Sequence, residues 1–321
     1  SQVTGHARVL ENQKKTISKF GEILELMAGC VTIQGESAPA NLEINHPVMM
    51  LYNIEQFPSR IYANIFPWRM TAATAAALKN RIEGGAINSA LIHLCEGPDA
   101  TSLAQFYTWK NFGLLTNSTA IIHGTALGSN ELAQLAAVGG KLVWSPMSNM
   151  KLYEATANAA LAHQLGVIVG LSPDWTPSGG ANMLEELGYA WYLNATLYGN
   201  YFTARQMVEM VTVNNALACG FAHRYGSLAP GYNAGIMVIG AVTNDPYLSL
   251  IHARPKDVKL TMVDGMPRYG DPALLQALGV TGEVIAVHGT DKMFNIAVTH
   301  PFLSHGTDTV ASLVFFRDGK P

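Results

Sequence analysis

Short apolar runs, each closing on polar residues and each followed by a helix-length segment, constrain this chain more than any other feature. NSALIH ends in His93, TAIIH ends in His123, KLVWSP gives out at Ser145-Pro146, and GVIVGLSP leads to Asp174. A run such as Val167-Ile168-Val169 has no polar alternation, which suits a strand covered on both faces in a parallel sheet. The segments between the runs read as helices. Thr71 caps an Ala-rich helix that reaches Glu83 and stops at Gly84-Gly85, and NELAQLAAV closes at Gly139-Gly140. Strands alternating with glycine-closed helices are the signature of βα units.

Upstream, residues 8–28 carry apolar side chains at helical spacing, and Cys30 to Gly35 reads as a buried strand. A second helix is predicted near Val48 to Gln56 and a strand over Arg60 to Trp68. With the four runs above, that makes six strands, in an open doubly wound sheet or a (β/α)8 barrel. No GxGxxG follows the first strand and no GxxxxGK[ST] occurs, so dinucleotide-binding and P-loop readings have no support. Polar residues sit at the C-terminal ends of several strands, which favours the α/β TIM-type (β/α)8 barrel. After Thr203, ARQMVEMVTVNNALACG reads as one helix. From Gly226 short alternating runs separated by Gly, Pro, Asn and Asp read as a small β-domain of hairpins. The predicted division is 1–225 for the barrel and 226–321 for the β-domain and C-terminal segment.

The chain has 321 residues, 49% hydrophobic and only 13% charged, enough for a large core and a second small domain. Its net charge of −3 is spread without a basic stripe, which argues against nucleic acid as a partner. Cys30, Cys95 and Cys219 are far apart and no CxxC occurs, so neither a disulfide framework nor a structural zinc site is expected. A reducing, cytoplasmic setting is the default. No apolar run approaches a membrane span, and the polar N-terminus is not a signal peptide.

The strand ends carry the chemistry. Imidazole and carboxylate at His93, His123 and Asp174 are what a divalent metal requires, and Glu96, three residues after His93, is placed to shuttle a proton of a bound water. A second imidazole can polarise the group under attack. Each residue alone has a plainer reading: a hydrogen-bonded structural histidine, an Asx turn at Asp174, a solvated loop acid at Glu96. Three strand ends in sequence are hard to reconcile with accident. Trp144, Trp175 and Trp191 could line a pocket or fill the core.

HLCEG, AIIHGTAL, KLVWSPMSNMKLY and GLSPDWTPSGGANMLEEL, in that order, resemble the amidohydrolase superfamily, nearest its chlorohydrolase and cytosine-deaminase-like branch. GSLAPGYNAGIMVI resembles the segment where such chains return to their small β-domain. The resemblance runs over roughly residues 20 to 290. It implies a barrel hydrolase acting on C–N or C–Cl bonds, often of heterocycles, with one divalent metal, zinc first and iron second. By that match His93 is a metal ligand and Glu96 the general acid/base. His123 joins the metal site and contacts the bound water or substrate. Asp174 is ligand and proton acceptor, and Ser148 and Asn149 face the substrate, with Trp175 beside them.

The family's HxH pair on its first strand has no counterpart here, and ILELMAGCVTIQG resembles its second strand with the preceding helix. The expectation is a barrel lacking its first strand in this chain. A separate N-terminal fragment, a non-catalytic relative that binds a small molecule or partner, or a site completed by His46 or His6 would each account for that. A small-molecule substrate, no membrane and self-association complete the expected partners.

Overall fold

A computed structural model describes residues 20–34, 52–53, 61–64 and 66–295, and the chain divides into two compact units. The first described element is a helix over residues 20–27 (α1), with Ile23, Leu24, Leu26 and Met27 buried. Thr32–Ile33 (β1) then pairs in parallel with Tyr52–Asn53 (β2). These residues cluster with the smaller, antiparallel unit: Thr261 Oγ1 donates to the Leu26 carbonyl at 3.0 Å. The predicted strand at Cys30 to Gly35 is thus not a strand of the parallel sheet. A strand at residues 52–53 also stands where a helix was predicted; a continuous apolar run such as Val48 to Tyr52 does not by itself separate the two. The rest of that prediction, and most of the helix over 8–28, lie outside the described residues.

The larger unit holds five parallel strands in sequential order: Ile61–Asn64 (β3), Ser89–Leu94 (β4), Thr119–His123 (β5), Lys141–Trp144 (β6) and Ile168–Leu171 (β7). Helices alternate with them: Ala72–Glu83 (α2), Ala100–Asn111 (α3), Ser129–Ala137 (α4), Pro146–Tyr153 (α5), Ala159–Gln164 (α6) and Met183–Thr196 (α7). Sequential parallel strands flanked by helices are the core of a (β/α)8 barrel. Thr71 caps α2 as the sequence predicts, its Oγ1 accepting from the Thr74 amide at 3.2 Å while Thr74 Oγ1 accepts from the Thr71 amide at 3.0 Å. All five residues of β5 are buried, which explains their lack of polar alternation. Ile92, Ile121, Leu142 and Val169 from the strands pack in one core with Leu78, Phe106, Trp109 and Leu135 from the helices.

The stretch after Thr203 is two helices, not one. Ala204–Val211 (α8) ends at Thr212, whose φ of −123° and ψ of −98° break the spiral before Val213–Ala218 (α9). Three successive β-branched residues, Val211-Thr212-Val213, sit at the break, where helix propensity is low. The break turns Asn214 and Asn215 toward β7. Their Nδ2 groups donate to the carbonyls of Val169 at 2.8 Å and Leu171 at 2.6 Å, covering the edge of β7 away from β6. Gly170 makes this approach feasible, because a Cβ there would run into Asn215 Oδ1. Pro246–His252 (α10) also belongs to this unit.

The smaller unit contains an antiparallel sheet in the order β11-β12-β10-β9-β8, formed by Ile236–Ile239 (β8), Val258–Val263 (β9), Met266–Gly270 (β10), Glu283–Val287 (β11) and Thr290–Phe294 (β12). Pro272–Ala277 (α11) packs on it through Leu275, beside Leu260 and Met293. Lys292 is fully buried there, its Nζ donating to the Val258 carbonyl at 2.7 Å and to Asp271 at 2.5 Å. The predicted hairpins are present, but residues 226–233 and 242–252 cluster with the parallel strands, and residues 20–34 with the antiparallel ones, so the units interleave along the chain across residue 225. No helix among the described residues is long and apolar enough to cross a membrane.

The Gly170→Ala substitution is expected to push α9 off the edge of β7. The overpacking should cost about 1–3 kcal/mol in urea unfolding; a variant as stable as the parent would show that Asn215 does not need the glycine.

Candidate functional site

His93 and His123 come from adjacent strands and meet because of their register. Leu94 of β4 stands opposite His123 of β5, and His93 opposite Ile122. The two imidazoles lie with ring centroids 5.0 Å apart, inclined by 57°. Both strands end in backbone that L-residues rarely adopt. Cys95 has a φ of 57° and His123 a φ of 72°, a strain of about 1–3 kcal/mol each that surrounding structure must overcome. Here the Gly124 amide donates to the Leu94 carbonyl and the Ala126 amide to the Cys95 carbonyl, both at 3.1 Å. Gly124 continues the left-handed turn with a φ of 65°, and a Cβ there would lie 2.6 Å from Leu142 Cδ1. The His-Gly pair at the end of TAIIH is thus one turn that swings the imidazole off the strand.

Asp174 enters from the loop after β7. One ligand atom from each of His93, His123 and Asp174 lies within 4.8 Å of the others, a spacing that one metal ion can bridge. Asp174 is fastened on both oxygens: Ser148 Oγ donates to Oδ2 at 2.5 Å, Ser178 Oγ to Oδ2 at 3.3 Å, and the Trp175 amide to Oδ1 at 2.7 Å. Burial pulls its carboxyl upward, but the bonds from Ser148 and the Trp175 amide oppose this, and the carboxyl lies below its usual range, so it stays ionised.

Burial pushes the His123 imidazole down to about 3, the neighbouring His93 adding to the effect and Asp174 opposing it. Burial also lowers His93, again against Asp174. Both rings are therefore neutral at physiological pH, the form a divalent metal binds. His93 Nδ1 and His123 Nε2 are buried with no hydrogen-bond partner. Unpaired nitrogens beside an ionised carboxylate fit a site built for a cation or a polar substrate atom.

Glu96 lies at the rim of the same space. Tyr153 Oη donates to its Oε1 at 3.0 Å, leaving Oε2 3.8 Å from His123 Nε2. Burial raises the Glu96 carboxyl, with the Tyr153 bond opposing and the Asp174 charge adding. A carboxyl moved toward neutrality is better suited to taking up and returning a proton near pH 7.

Ser148 and Asn149 are fully buried and hold other residues of the site: Ser148 Oγ donates to Asp174, and Asn149 Nδ2 lies 3.1 Å from His123 Nδ1. Trp175 follows Asp174 directly, but its side chain is 76% exposed. Trp144 fills the core and Trp191 packs against it. Two contributors escaped the sequence reading. Tyr153 lies one helical turn beyond Asn149 on α5, and that spacing was the available signal. Glu186 is fully buried on α7, where one of two adjacent acids in the first turn of a helix gives no such signal. Its Oε1 accepts from the Met147 amide and its Oε2 from the Gly180 amide, each at 2.9 Å. It ties the start of α5, which carries Ser148 and Asn149, to the loop that carries Asp174. Burial drives its carboxyl up to about 7, against the two amide bonds.

Parallel strands delivering imidazoles and a carboxylate to one rim define a barrel of the metal-centre type. Residues 71–268, well over half of the chain, match the Amidohydrolase family, and the chain belongs to that family. It is 32% identical over 171 residues to a 5-methylthioadenosine/S-adenosylhomocysteine deaminase of Teredinibacter turnerae, covering 50% of this chain and 38% of that one. A protein of the same name from Symbiobacterium thermophilum is 32% identical over 203 residues, covering 56% and 46%. The chain thus spans less than half the length of these relatives. The fold is shared with an adenosine deaminase of Xanthomonas campestris with bound zinc, at a TM-score of 0.59 and 22% identity over 68% of this chain and 54% of that one. It is shared also with the zinc complex of atrazine chlorohydrolase from Arthrobacter aurescens, at 0.54 and 18% over 61% and 47%.

Glu186→Gln tests the clamp. The amide would turn an N–H₂ toward one of two backbone N–H donors, so removing the charge should still cost about 1–3 kcal/mol of stability, read by urea unfolding. A neutral or stabilising result would mean the carboxylate is not needed to join α5 to the Asp174 loop.

Proposed function

We propose that this chain carries the site of a metal-dependent hydrolase that replaces the amino group of an aminated heterocycle, of the 6-aminopurine type, by oxygen. The observation that carries the reading is the convergence of His93, His123 and Asp174 beside Glu96. The names of the curated relatives favour C–N hydrolysis of a purine nucleoside over C–Cl hydrolysis. Water and the amine give the carbonyl compound and ammonia, so two protons must be moved within the site.

His93 and Asp174 would hold the ion, with His123 facing the same space; zinc is the proposed metal, in line with the zinc-bound structures of this fold. A divalent ion bound there supplies Lewis-acid charge that makes water nucleophilic near neutral pH. Glu96 Oε2, free of the Tyr153 bond, takes the water's proton and returns it to the ring nitrogen or the leaving amine. Asp174, kept ionised by Ser148 and Trp175, accepts the second proton and passes it to whichever of the ring nitrogen and the amine Glu96 has not protonated, so that the amine leaves as ammonia. His123, buried and neutral, stabilises charge developing on the atom under attack. The exposed Trp175 indole is positioned to cover an aromatic substrate at the rim.

Two measurements test this. Protein prepared without a chelator should contain about one divalent metal ion per chain by elemental analysis, and its absence even after zinc is restored would remove the basis of the reading. Glu96→Gln should retain that metal while losing about 10²- to 10⁴-fold in deamination of 5-methylthioadenosine or adenosine, followed by ultraviolet absorbance. Full activity in this variant would sink the role given to Glu96.

A further inference from the structure

Behind His123 a line of side chains runs back into the core. Trp144 Nε1 donates to Thr156 Oγ1 at 2.7 Å, Thr156 Oγ1 donates to Asn149 Oδ1 at 3.4 Å, and Asn149 Nδ2 lies 3.1 Å from His123 Nδ1. Trp144, Asn149 and His123 are all fully buried. The line has a direction because an indole N–H can only donate. With Trp144 donating, the Thr156 oxygen accepts and its own proton must go onward. Asn149 Oδ1 is its acceptor, and among the described residues no other group takes that proton. The Asn149 amide is then oriented with its N–H₂ toward His123, so Nδ1 of that ring accepts.

We propose that Trp144, acting through Thr156 and Asn149, is a positioning device that fixes His123 as the Nε2–H tautomer. A ring that accepts at Nδ1 and is neutral carries its proton at Nε2, the unpartnered nitrogen that faces the site. His123 therefore presents a hydrogen-bond donor to the site, and Glu96 Oε2, 3.8 Å away, presents an acceptor. A pair of opposite sense across one gap suits a polar atom that needs both, such as a water or the heteroatom of a substrate. Reversal of the Asn149 amide would turn its N–H₂ toward the Thr156 hydroxyl, remove the acceptor of that bond and present a bare Nε2 instead.

The inference deepens the hydrolase reading, and its test needs neither metal nor turnover. Histidine-labelled protein, stripped of metal and held near neutral pH, reports the tautomer of each ring through its nitrogen chemical shifts. His123 is expected as Nε2–H. Thr156→Val removes the hydroxyl at similar volume, frees the Asn149 amide to turn, and should shift His123 measurably toward Nδ1–H. Thr156→Ser keeps the hydroxyl and should keep the parent tautomer. Trp144→Phe, which removes the donor that sets the direction, should act like Thr156→Val and stands in for it if that variant does not fold. A parent protein with His123 as Nδ1–H overturns the proposal, and so does a tautomer unmoved by loss of the Thr156 hydroxyl or the indole N–H. A parent protein with His123 as Nε2–H but with no deaminase activity when zinc is restored would count against the hydrolase reading alone.

Discussion

Two imidazoles kept neutral by burial, on neighbouring strands, are the arrangement on which the rest of the site depends. A histidine withdrawn from water would ordinarily cost stability unless its nitrogens were paired. Here the cost is accepted at His93 Nδ1 and His123 Nε2, which have no partner, and at the left-handed backbone of His123 and Cys95. The rigid part of the fold carries that strain: five parallel strands with their core of Ile92, Ile121, Leu142 and Val169, and amide bonds that return from the β5 loop to the end of β4. Local rules are broken where the rings face one another and obeyed around them, the distribution expected of a functional site.

Both carboxylates of the site are matched by neutral donors that settle their state. Ser148, Ser178 and the Trp175 amide hold Asp174 as a carboxylate, while Tyr153 occupies one oxygen of Glu96 and leaves the other open. Ser148, Asn149 and Tyr153 all lie on α5, and Thr156 follows it directly. That short helix is therefore a supporting strut for three different site residues. Its own start is fixed by Pro146 in the first turn and by Glu186 from α7. Replacing His93 or Asp174 would change the chemistry, whereas altering the seating of α5 would disturb Asp174, His123 and Glu96 together.

Much of this was legible in the sequence, for identifiable reasons. Apolar strands buried on both faces announce themselves, and a polar residue at the end of each stands out against them, so His93, Glu96, His123 and Asp174 could be named before any contact was known. Ser148 and Asn149 could be named from the motif, but not their bonds to Asp174 and His123, because a motif fixes a position and not the direction in which a side chain spends its hydrogen bonds. Glu186 and Thr156 carried no signal, since their importance lies in which backbone or side-chain groups tertiary packing brings to them. The segment Cys30 to Ile33 misled for a related reason. Two or three β-branched residues make a strand, but nothing local says which sheet receives it, and here it joins β2.

The break at Thr212 shows how far such local ambiguity reaches. One uninterrupted helix after Thr203 would satisfy the periodicity equally well, yet it would carry Asn214 and Asn215 away from β7 and leave the Val169 and Leu171 carbonyls unpaired at the sheet edge. A buried carbonyl without a partner costs about 1–3 kcal/mol, more than the few tenths lost by ending a helix among β-branched residues. The chain therefore breaks the helix. The two asparagines satisfy β7 as a neighbouring strand would, and the loop that leaves β7 carries Asp174 to the two histidines from a fixed starting point.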